Sequence, residues 1–171
     1  GSAEITGSLG ITGSVDISGT SLMLNSVSAG APSVGEANIV AGAGNPTLGA
    51  NARATALLGA TNATIGSGAF QAGILGGDGN QANAIRTAAI GGYQQLATTQ
   101  NSFLAGSALS EINVSGTGYN VIVGGTHHDI SGTALKSAII AGTGSNATHS
   151  RSVVLGGQGL ATSKNDEVVV P

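Results

Sequence analysis

Cysteine is absent from the 171 residues, so no disulfide can staple the fold. Tryptophan is absent too, and two Phe and two Tyr are the only other aromatic residues. A compact globular core fills space with such rings, so the apolar residues here must pack into something thinner. Charge is scarce: 8% of residues are charged, the formal net charge is −3 and there is no basic run. That balance argues against a nucleic-acid backbone as partner. No apolar stretch approaches the ~20 residues that span a bilayer, so direct membrane insertion is not expected. No leader is visible; Gly1-Ser2 reads as an expression scar and the chain as an excised fragment, with any targeting signal outside it.

What is present is glycine, 30 times, more than double the average usage of ~7%. Glycine at that level suggests disorder, but 40% of residues are hydrophobic, and Ile, Val and Leu come in tight clusters, unlike a disordered chain.

Those clusters repeat. Apolar or small triplets followed by glycine-like residues occur at Asn38-Ile39-Val40-Ala41-Gly42, Ala56-Leu57-Leu58-Gly59-Ala60, Gly73-Ile74-Leu75-Gly76-Gly77 and Ala88-Ala89-Ile90-Gly91-Gly92. Four more follow at Ser102-Phe103-Leu104-Ala105-Gly106, Val121-Ile122-Val123-Gly124-Gly125, Ala138-Ile139-Ile140-Ala141-Gly142 and Val153-Val154-Leu155-Gly156-Gly157. Leu22-Met23-Leu24 and Val168-Val169-Val170 read as atypical outer copies. The intervals between first positions run from 14 to 19 residues, with a mean of about 16.2. One short strand per ~16 residues, with Gly, Asn, Ser and Thr between, predicts a β-solenoid of roughly nine turns over residues 23–171.

Side chains alternate between the faces of a strand. On this reading the third slot of each copy faces inward, while the second and fourth face the other way. Both faces are apolar, and a strand that is apolar on both faces is covered on both. Copies of the same chain are the simplest cover, with the Gly/Ala fourth slot allowing close approach of neighbouring backbones. The columns therefore predict a homo-oligomer, with Phe103 in its interface.

The column pattern resembles the head domain of trimeric autotransporter adhesins, most closely over Ser145-Asn146-Ala147-Thr148-His149-Ser150-Arg151-Ser152-Val153-Val154-Leu155-Gly156-Gly157. The resemblance covers roughly residues 36–170. It implies an all-β, left-handed parallel β-roll with three chains intertwined about an axis. Similar modules occur in bacteriophage tail fibres and injection-machine fibres. The spacing here is looser than in the adhesins and the second slot bulkier. Neither the neck motif nor the membrane anchor of that family is present. Residues 3–22 differ: Ile5-Thr6-Gly7-Ser8-Leu9-Gly10 and Ile11-Thr12-Gly13-Ser14-Val15-Asp16 repeat every six residues. They resemble phage-fibre shaft sequence, which implies a short β-prism-like stalk.

Chemistry is sparse. Hexapeptide-repeat acyltransferases are also left-handed trimeric β-helices, but their coil is a strict 18 residues; that enzymatic alternative is the remote one. Gly76-Gly77-Asp78-Gly79-Asn80 has no helix pattern behind it to make a phosphate loop and reads as structural glycine. His127-His128-Asp129 is the one His/carboxylate cluster; three copies about an axis could hold a metal, but it follows strand 121–125 at a turn, where exposed polar side chains are routine, and no metal or cofactor is assigned. Tyr93 and Tyr119 occupy columns that read as exposed, where a ring can stack on a sugar or a protein. The longest interval carries Glu111 and Asn113. Together Tyr93, Glu111, Asn113, Tyr119, His127, His128 and Asp129 form the candidate binding surface. The expectation is a non-enzymatic, extracellular segment of a homotrimeric surface or tail fibre, contacting a cell-surface glycan or outer-membrane protein. The alternative is a passive shaft.

Overall fold

A computed structural model describes the strand Ile39–Ala41 and residues 45–171. The scar, the stalk segment 3–22 and the part of the roll before residue 39 lie outside the described residues. Among the described residues there is no helix; sixteen strands of two to four residues form two parallel sheets. Nine strands, from Ile39–Ala41 to Val168–Val169, make a long sheet, and seven, from Thr47–Leu48 to Asn146–Ala147, make a second. Each strand pairs in parallel with its equivalent one coil later, giving a parallel β-solenoid of about 7 turns. The stacked backbone groups satisfy one another: Ala88 N–H donates to Ser102 C=O at 3.0 Å, and Leu96 N–H to Ser110 C=O at 2.9 Å.

The coil is turned at corners that use the left-handed conformation, including pairs such as Gly76-Gly77 and Gly91-Gly92 just after the long-sheet strands. One corner, two residues before each long-sheet strand, holds Ala54, Gln71, Arg86, Asn101, Tyr119, Lys136, Arg151 and Asp166, all with φ between 50° and 61°. A second corner includes Asn62, Gln94, Leu109 and His127 at φ 49–56°. An L-residue there costs about 1–2 kcal/mol, but such residues turn the chain between strands without interrupting the ladder on either side. Apart from the partly buried Asn101, the residues of this first corner are exposed to solvent.

Between corners a strand has room for three residues, and alternation sends the middle one inward. The middle residues Leu57, Ile74, Ala89, Leu104, Ile122, Ile139 and Val154 are fully or almost fully buried. They face Ile65, Ala82, Ala97, Ile112, Ile130 and Ala147 from the second sheet, also buried. The centre of the core is two opposed columns, one residue deep from each side, flanked by buried corner residues such as Ala60, Ala63 and Ala134, and no Phe or Tyr is among its buried residues. At Ala82, Ala89 and Ala97 the apolar columns thin, and the core divides into two clusters. The buried amides of Asn80 and Gln95 fill that waist.

This arrangement corrects the sequence reading in two respects. The register pairs Ile39 with Ala56 and Phe103 with both Ala88 and Val121. First positions thus begin at Ile39 and Phe103, not at Asn38 and Ser102. Alanine occupies the third slot at Ala41 and Ala105, and in the sequence it passes for the Gly/Ala slot that follows. With the register restored, the coils are 17, 17, 15, 15, 18, 17, 15 and 15 residues long. The faces are also exchanged: the second slot points inward, and the first and third point outward.

Candidate functional site

The outward side of the long sheet is the most distinctive surface. Third-slot residues Leu75, Ile90, Val123, Ile140 and Leu155 are all exposed, Leu75 by 53% of its surface. First-slot neighbours are half-buried beside them, and Val168 and Val170 continue the strip to the last coil. Eight layers at ~4.8 Å a step make it about 35 Å long. In five of the eight layers from Ala56 to Val170 one outward slot is large and the other small, while Val153 beside Leu155 and Val168 beside Val170 are large in both. A large third slot accompanies a small first slot at Leu75 and Gly73, Ile90 and Ala88, and Ile140 and Ala138. The order is inverted at Phe103 and Ala105, and Val121 matches Val123. Where first slots are smallest, the strip sinks into an apolar hollow of about 160 Å³ at Ala56, Gly73 and Ala88, walled by Leu58, Leu75 and Ile90.

The seven residues singled out from sequence fall on several parts of the coil. Tyr93 is 45% exposed and lies in a bridge ladder between Asp78 and Ala108. Tyr119 is 57% exposed at the corner that precedes the long-sheet strands, with its backbone at φ 59°. Glu111 and Asn113 belong to strand Glu111–Val114 and pair with Asp129 and Ser131 of strand Asp129–Gly132, so these residues share the outer face of the second sheet. Ser131 Oγ donates to Asp129 Oδ2 at 2.9 Å. His127 is exposed at the adjacent corner. The structure thus gathers Glu111, Asn113 and Asp129 on one face near His127 and leaves Tyr119 at a different corner. No group of three or more His, Cys, Asp or Glu is placed to hold a metal ion among the described residues.

His128 is a correction. Expected as part of an exposed turn, it is 99% buried, because it stands in the first inward-facing slot after the corner. Its Nδ1 accepts from the Ser145 N–H at 3.3 Å, which leaves the proton on Nε2, on the side of the Gly142 carbonyl. Burial holds its pKa below the ordinary 6.5, and the neighbouring His127 lowers it slightly further.

His128 belongs to a ladder that sequence reading missed. The same slot of other coils holds Ala63, Asn80, Gln95, Ser110, Ser145 and Leu160. Gln95 N–H donates to Asn80 Oδ1 at 3.0 Å, Asn80 Nδ2 to Gly91 C=O at 2.7 Å, and Gln95 Nε2 to Ser107 C=O at 3.1 Å. A rule governs what the slot accepts. Where it holds a large group, the residue three positions earlier is glycine with positive φ: Gly77, Gly92, Gly125 and Gly157. A Cβ on Gly125 would lie 2.2 Å from His128 Nε2. Where the earlier residue is Ala60 or Ser107, the slot holds only Ala63 or Ser110. The Gly-x-x-large spacing was the available signal.

No protein-family model matches the chain, and no curated protein matches it.

Proposed function

We propose that this chain is a structural segment of an extended homotrimeric fibre of the surface or tail-fibre type, assembled by packing the long-sheet strip against other copies of itself. One observation carries the reading: the long sheet is apolar on its outward side from Ala56 to Val170. Continuous exposed apolar patches of this extent mark contact surfaces, and a parallel sheet is normally covered on both faces. The number three rests on the resemblance of residues 36–170 to trimeric adhesin heads. A cell-surface or virion fibre would place the assembly outside the cell, with the polar outer face of the second sheet, including Glu111, Asn113 and Asp129, and the exposed rings of Tyr93 and Tyr119 available to a glycan or protein.

Light scattering on the purified chain tests the assembly. The expected mass is three times 16.3 kDa. Ile140→Asp, on the strip, should give a monomer with unchanged circular dichroism, whereas Ile139→Asp, one residue away in the core, should unfold the coil. A wild-type mass of 16.3 kDa at high protein concentration would end this reading.

A further inference from the structure

We propose that the copies associate parallel and in register, with the third-slot residue of each layer packed against the first-slot residue of the same layer in the next copy. Leu75 then enters the neighbour's hollow at Gly73. This pairing rests on the self-association reading above and specifies its geometry.

The size pattern is what calls for it. Within one chain, first and third slots of a layer point outward side by side, so nothing inside the chain requires their sizes to compensate. Yet Leu75 stands beside Gly73, while Phe103 stands beside Ala105. If the third slot of one copy meets the first slot of the next at the same height, both layers close: Leu75 fills the space above Gly73, and Phe103 fills the space above Ala105. A copy shifted by one coil would set Ile90 over Gly73 and Ala105 over Ala88, leaving a gap in one layer. An antiparallel copy would set first slots against first slots and lose the compensation.

The hollow is of the right kind. At about 160 Å³ it matches the ~150 Å³ of an apolar cavity that admits a benzene ring, which is room for one branched aliphatic side chain. Its floor is Gly73, flanked by Ala56 and Ala88, and its lining is almost wholly apolar. Knob and hole lie at different places on the same face, so each copy both gives a knob and receives one; in a trimer the knob goes to one neighbour and the hole faces the other, and a rotation axis parallel to the solenoid closes the ring.

Gly73→Leu tests the pairing, since the chain alone tolerates it. Gly73 is not in the left-handed region, and a Cβ there would meet nothing nearer than the Ala56 carbonyl oxygen at 3.8 Å. The expected result is a folded chain whose assembly is weakened about 10-fold or more by overpacking of the filled hollow. Moving the bulk across the layer in the double variant Gly73→Leu/Leu75→Ala reproduces the order seen at Phe103 and Ala105 and should restore assembly. A second measurement does not depend on these variants folding. The chain has no cysteine, so two differently tagged chains, one carrying Gly73→Cys and the other Leu75→Cys, should form a mixed disulfide dimer on mild oxidation. Gly73→Cys with Leu155→Cys should not. A monomeric wild type would remove the self-association reading and this one with it. An oligomeric wild type with undiminished Gly73→Leu assembly, or without the 73–75 cross-link, would overturn the pairing and leave self-association standing.

Discussion

Replacing Gly125 with alanine places a methyl group in a position the folded coil has already filled. The added Cβ would lie 2.2 Å from His128 Nε2 and 2.5 Å from the Gly142 carbonyl oxygen, at a backbone φ of 79°. Left-handed backbone costs an L-residue about 1–2 kcal/mol, and forcing extra carbon into a packed site costs about 1–3 kcal/mol. The expected loss is therefore about 2–5 kcal/mol. Gly124 is the control: it has φ 67°, and a Cβ there meets nothing nearer than Ala141 Cα at 4.0 Å. Gly124→Ala should thus show only the backbone cost, about 1–2 kcal/mol, as Ala141 already stands at the equivalent corner with φ 59°. The pair should also be coupled. In a His128→Ser background, Gly125→Ala should cost less by about 0.5–3 kcal/mol, because the coil can then adopt the form seen at Ser107 and Ser110. Urea unfolding followed by circular dichroism, at one fixed protomer concentration, gives all four corners of the cycle. Equal losses at Gly124 and Gly125, or no coupling to His128, would refute the proposed glycine–slot rule.

His128 is held neutral in the fold with its pKa lowered below 6.5, so the unfolded chain binds the extra proton first as pH falls. Stability from this group is complete above pH 6.5 and declines below it, until the lowered folded value is reached. His128→Asn, which places the amide of Asn80 in the same slot, should flatten that slope in melts between pH 7.5 and 5. In the core, Ile122→Ala should lose about 2–5 kcal/mol. By contrast, the exposed pair of Arg151 Nε and Asp166 Oδ1, 2.6 Å apart, should be replaceable in high salt with little change in the melting midpoint, as surface ion pairs contribute little there.

How much of this was legible in the sequence depends on what kind of signal each feature leaves. The strands were visible because three consecutive apolar or small residues followed by glycine stand out against a Gly/Ser/Thr background. Their faces were not, since Leu57 and Leu58, or Ile139 and Ile140, are chemically alike on the two sides of the strand. Only the placement of the left-handed corners decides which points inward. Register failed at Ala41 and Ala105 for a related reason, alanine being acceptable both as a small outward residue and as a glycine substitute. Of the candidate binding residues, the exposure of Tyr93 and Tyr119 could be read from their columns. The burial of His128 could not, because a polar residue beside a turn looks solvated until its glycine three positions earlier is recognised as the space it occupies.

The coil-to-coil register has a bearing on how such a chain can change length. Every strand in the described solenoid except those at the ends of the two sheets is bonded to its equivalents one coil before and one coil after, and coils of 15, 17 and 18 residues stack in the same ladder. Removing residues 88–102, one complete coil, would bring Phe103 to the place of Ala88 beside Gly73 and leave every other pairing intact. A gene for this segment can therefore lose or duplicate whole coils in frame, shortening or lengthening the protein by ~4.8 Å at a time, while a deletion of only a few residues has to be absorbed in the turns between strands.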